Sequence, residues 1–170
     1  MPTIHPAIVH FPIALTVTSV ASDTAGVIFQ AGGLSDVGRW TIALAVAGGA
    51  LAIPAGYRDM RRDALRPGTH DLVHLHKHIG WTIATTLVVL GIWRWAGGMP
   101  GVVYLVVGWL GVALVLLQAW LGGEIVYAHG AGVAAASQGL KPPEQAQRPS
   151  NRFYRLIMRR YPKSDRAGEG

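Results

Sequence analysis

Cysteine is absent from the 170 residues, which excludes disulfides, thiolate metal ligands, cysteine-ligated iron–sulfur clusters and covalent haem attachment through Cys-x-x-Cys-His. Any chemistry must use nitrogen and oxygen. Charge is also scarce, at 14% against 51% hydrophobic residues. It is nearly missing from four stretches, residues 7–29, 40–56, 79–96 and 102–126, where only Asp23, Arg94 and Glu124 interrupt the apolar run. Each stretch approaches the roughly 20 residues needed to cross a hydrocarbon layer about 30 Å thick. Together they predict an all-α polytopic membrane protein, a four-transmembrane-helix up-down bundle. No basic residue precedes the first stretch, so it reads as a permanent span and not as a signal peptide.

The positive charge is unevenly placed. Arg58, Arg61, Arg62, Arg66 and Lys77 lie between spans two and three, and eight more lysines and arginines, Lys141 to Arg166, follow span four. Only Arg39 and Arg94 remain for the opposite side. The positive-inside bias therefore predicts both termini in the cytoplasm of a bacterial inner membrane. The net charge of +6 is a topology signal and gives no reason to invoke nucleic acid. Residues 1–136 read as the membrane domain and 137–170 as a flexible basic tail. Within that tail, residues 151–161 could form an interfacial helix with Tyr154, Ile157, Met158 and Tyr161 on one face.

Polar groups inside spans are costly and need partners. Asp23 is expected to form a structural ion pair with Arg39 or Arg94 at the outer ends, with a proton-relay role as the alternative. Gly48 and Gly49 allow close approach of a helix or a flat cofactor, helix packing being the plainer reading. Residues 30–38 read as a short loop joining spans one and two. Pro54 is expected to kink span two or end it.

Histidines give the chain its second theme. His5-Pro6-Ala7-Ile8-Val9-His10-Phe11-Pro12 fuses two imidazoles to the start of span one, and Pro12 suits a first helical turn. Ahead of span three, His70, His74 and His78 share one helical face at i, i+4, i+8, while His76 points away. Spans one and three should be diagonal in an up-down bundle. His10 and His78 are then expected to converge at the cytoplasmic end, with His74 and His129 extending or replacing the pair and Glu124 nearby.

Three readings follow. A bis-histidine haem b would use two such imidazoles, Gly48 and Gly49 against the macrocycle, and Arg58, Arg61 or Arg62 at the propionates. A bare zinc, iron or manganese ion would draw on His10, His74, His78, His129, His5, Glu124 or Asp59. Otherwise these groups cap helix ends and hydrogen-bond one another at a wet surface.

The string His5 to Leu15, together with Gly123-Glu124-Ile125-Val126-Tyr127-Ala128-His129-Gly130-Ala131-Gly132-Val133, resembles the bacterial family of predicted membrane proteins called domain of unknown function 2231. Asp23, Gly56-Tyr57-Arg58-Asp59 and a histidine opening span three are similar to that family's pattern, over roughly residues 2–133. The family brings no established activity. Its relatives fused to Rieske-type or c-type cytochrome modules imply an electron-transfer setting, which favours haem over a bare ion. The resulting expectation is an electron carrier more than a stand-alone enzyme, with no catalytic residue assigned. It would exchange electrons with a quinone or a separate Rieske or c-type cytochrome partner. The alternatives are a divalent-metal binding or transport protein and a non-catalytic membrane subunit.

Overall fold

A computed structural model describes residues 4–62, 70–97 and 99–127. Among these the chain is all helical, with α1 at His5–Ile28, α2 at Gly32–Arg62, α3 at His70–Ala96 and α4 at Val102–Tyr127. All four contain stretches long and apolar enough to cross a membrane. Helix α1 packs most extensively on α2, and α3 on α4; α2 with α3 and α1 with α4 close the ring. That leaves α1 and α3 diagonal, running in the same direction.

The bundle buries polar groups alongside an apolar core that includes Ile42, Leu87, Leu90 and Tyr104, and its flanks are greasy. Thr16, Ser19, Asp23, Ser35 and Arg94 are buried, while Phe11, Leu51, Ile92 and Leu110 are exposed on its flanks. Lipid would cover those flanks at no hydrophobic cost, so the helices associate through close packing and internal polar contacts.

Small residues on α1 and α2 set the register between the two helices. A Cβ at Gly26 would lie 2.9 Å from the Ser35 backbone nitrogen, one at Gly48 3.2 Å from Pro12, and one at Gly56 3.0 Å from the His5 ring. At Gly38 a Cβ would overlap the Asp23 carboxylate outright. Helix packing thus accounts for Gly48, whereas Gly49 faces open space.

Helix ends depart from the hydropathy reading. Helix α1 starts at His5 with Pro6 in its first turn, so Pro12 lies inside the helix. Asp59 of α2 explains the early start, because its Oδ2 accepts the backbone N–H of Ile4 and of His5, each at 2.8 Å. Helix α2 overruns the apolar stretch at both ends and continues past Pro54, so the expected loop at 30–38 shrinks to the turn before Gly32. In that turn Gln30 has φ 51°, and Ala31 N–H reaches back to Gly26 O at 3.0 Å. This is the six-to-one closure of a Schellman motif. The tail, its interfacial helix and His129 lie outside the described residues.

Candidate functional site

The imidazoles that meet are His5 and His76. His5 opens α1 and His76 lies in the second turn of α3, so the pair bridges the diagonal of the bundle. Their ring centroids are 6.3 Å apart and the planes stand at 84°. Both rings are packed against backbone where a glycine makes room, Gly56 beside His5 and Gly122 beside His76, where a Cβ would approach within 3.3 Å of Cε1.

Hydrogen bonding specifies the His5 ring. Its Nδ1 lies 2.9 Å from the Ala52 carbonyl oxygen. A carbonyl only accepts, so Nδ1 is the donor, and in the neutral tautomer this selects it is Nε2 that offers a lone pair. An imidazole held this way by a backbone carbonyl is the usual second-shell arrangement of a metal-bound histidine. His76 is held through its backbone, whose carbonyl accepts from Gln118 Nε2 at 2.8 Å. Its own Nδ1 is buried with no hydrogen-bond partner among the described residues. Leu72, Leu121 and Ile125 form an apolar cluster at the same end.

This differs from the expected His10–His78 pair. His10 is exposed, its Nδ1 turned back to the Pro6 carbonyl of its own helix. His78 sits two residues beyond His76, about 200° round the helix, and is exposed as well. His74 and Glu124 are half-buried. Asp59 is engaged with the start of α1. Arg58, two positions beyond Gly56, lies about 200° round α2 from the His5 side and is exposed, so it does not face the pair. Among the described residues no three His, Asp or Glu side chains cluster as a metal-ion site.

At the other end of the same diagonal, Arg94 of α3 meets Asp23 of α1. Arg94 Nε donates to the two Asp23 oxygens at 3.2 and 3.1 Å, and one terminal nitrogen lies 3.1 Å from Oδ1. That nitrogen also donates to the Ser35 carbonyl at 2.7 Å and to its hydroxyl. Arg39 instead stacks over Trp95 at 4.8 Å and reaches Asp36 at 3.8 Å.

The i, i+4, i+8 spacing of His70, His74 and His78 marks a shared face but not which face is inward, and the buried Arg94 puts His76 on the inward one. His76 precedes Arg94 by 18 residues, and His5 precedes Asp23 by 18. Eighteen residues are five whole turns, about 27 Å, so each histidine is in phase with the buried charge on its own helix.

The molecule is therefore a four-span membrane bundle whose diagonal helices are joined by an ion pair at one end and face each other through an imidazole pair at the other. It belongs to the family described as predicted membrane protein, DUF2231, which matches residues 1–135. No curated protein and no solved structure matches the chain.

Proposed function

We propose that this chain is a membrane-embedded one-electron carrier that holds a haem b between His5 and His76, at the end of the bundle where α1 and α3 begin. The observation that carries this reading is the pairing of two imidazoles across the diagonal with no third ligating side chain clustered beside them among the described residues. A bare divalent ion takes four or more ligands. Haem iron draws four nitrogens from the macrocycle and asks the protein for two.

Three features of the pair support the fit. Ring centroids 6.3 Å apart would let both imidazoles ligate one metal, whose bonds to nitrogen are about 2.0 Å. The His5 tautomer directs a lone pair away from Ala52. His76 buries a ring nitrogen for which the described protein supplies no partner.

Haem b would supply a single reversible electron at iron. The chain's own part is to hold and orient. Asp59 fixes the backbone that carries His5, Ala52 fixes its ring, and Gln118 steadies the helix turn that carries His76. Electrons would be exchanged with a quinone in the bilayer or with a separate Rieske or c-type cytochrome protein. The asymmetry of basic residues supports placing this end at the cytoplasmic face of a bacterial inner membrane.

The decisive experiment is purification in mild detergent followed by absorption spectroscopy and metal analysis. We expect a Soret band that shifts on reduction and one haem per chain, lost in His5→Ala and in His76→Ala but kept in His10→Ala and His78→Ala. Colourless protein with stoichiometric zinc, iron or manganese would replace the haem reading with metal binding or transport. Protein with neither would leave a non-catalytic subunit.

A further inference from the structure

On the side of α2 turned away from His5, Ile53, Pro54, Tyr57, Arg58 and Arg61 line an open groove of about 380 Å³. These positions recur at the three- and four-residue spacing of one helical face. The groove changes character along its length. The half-buried Ile53 and the exposed Pro54 make its apolar end, and the exposed Arg58 and Arg61 stand where the apolar run of α2 gives out.

A hydroxyl completes the polar end. Trp81 of α3 donates its indole N–H to the Tyr57 oxygen at 3.1 Å. The phenol therefore acts as acceptor toward Trp81, and its own proton is directed to another acceptor. Tyrosine and tryptophan at this level are the usual markers of the headgroup region.

We propose that this groove is a binding site for an anionic phospholipid, with one acyl chain along Ile53 and Pro54 and the phosphate held by Arg58, Arg61 and the Tyr57 hydroxyl. Charge complementarity selects the occupant: two guanidiniums in reach of one phosphate, beside an apolar track that a free phosphate would not use. The site is independent of the haem reading, because it lies on the opposite side of α2 from the imidazole pair.

Its test uses the full chain in neutral detergent, titrated with phosphatidylglycerol or phosphatidylcholine carrying brominated acyl chains. Quenching of Trp81 fluorescence is isolated by comparison with Trp81→Phe. Phosphatidylglycerol should quench at roughly thirtyfold lower concentration than phosphatidylcholine, the preference expected of two arginines at a membrane surface. Arg58→Gln with Arg61→Gln should abolish the preference, and Arg58→Lys with Arg61→Lys should retain most of it. Neutralising Arg155, Arg159 and Arg160 to Gln should leave it intact. Equal quenching by the two lipids would overturn the proposal, as would an unchanged preference in the double Gln variant or its loss in the Arg155, Arg159 and Arg160 variant. Relief of quenching by millimolar inorganic phosphate would assign the groove to free phosphate and overturn the lipid.

Discussion

Arg94 carries its charge into the bundle with a ready set of acceptors: both oxygens of Asp23 and two atoms of Ser35. Asp23 is 0% exposed and Arg94 4%, so either charge alone would be stranded in a medium of low dielectric. Removing one partner of a buried pair typically costs about 3–5 kcal/mol, whereas replacing both by apolar groups of similar volume is often neutral. We therefore expect Arg94→Met to destabilise the protein by that amount in denaturant titrations in micelles. Asp23→Leu combined with Arg94→Met should be more stable than either single variant. Additive losses would mean that the pair is not acting as a unit. The Gly38 contact is why Asp23 cannot relax: its carboxylate is pressed on a backbone that has no room for a Cβ.

Among the elements, α1 is secured from outside itself. Its N-cap, Ile4, offers no side-chain hydrogen bond, and the acceptor for the first amides is Asp59 of α2. Cap removal costs about 0.5–2 kcal/mol, so Asp59→Ala should lower stability by about 1 kcal/mol. It should also speed hydrogen exchange at the Ile4 and His5 amides, while Asp59→Asn, which keeps an acceptor, should stay closer to the parent. The opposite end of α1 offers a gain. Gln30 holds a left-handed conformation that costs a side-chain-bearing residue about 1–2 kcal/mol, so Gln30→Gly should raise the unfolding midpoint.

Hydropathy located all four helices, because uninterrupted apolar runs are what lipid demands of a span. It misplaced their ends, since Ser35, Asp36 and Arg39 at one end of α2 and Arg58 and Asp59 at the other are helical for reasons of contact and exposure that apolarity does not register. The site was half legible. That imidazoles from α1 and α3 should meet could be read from the order of the spans, but choosing among them required phase. Residues 18 apart share a face, and Asp23 and Arg94 marked which face was inward.

At the scale of the whole molecule, four antiparallel spans put the start of α1 and the end of α4 at one end of the bundle, as the Gln118–His76 and His5–His76 contacts together require. What fixes which leaflet that end occupies is charge, with Arg58 and Arg61 at the histidine end and Asp36 and Arg39 at the other. The absence of cysteine makes the orientation directly measurable, because every introduced thiol is the sole one. Asp36 and Arg61 are both exposed and lie at opposite ends of α2. With the histidine end inside, a membrane-impermeant maleimide added to spheroplasts should label Asp36→Cys and spare Arg61→Cys, and lysis should make both reactive. The inverse pattern would turn the imidazole pair to the outer face. An electron carrier would then meet its partner there, and the phosphatidylglycerol groove, at the same end, would have to draw on the outer leaflet.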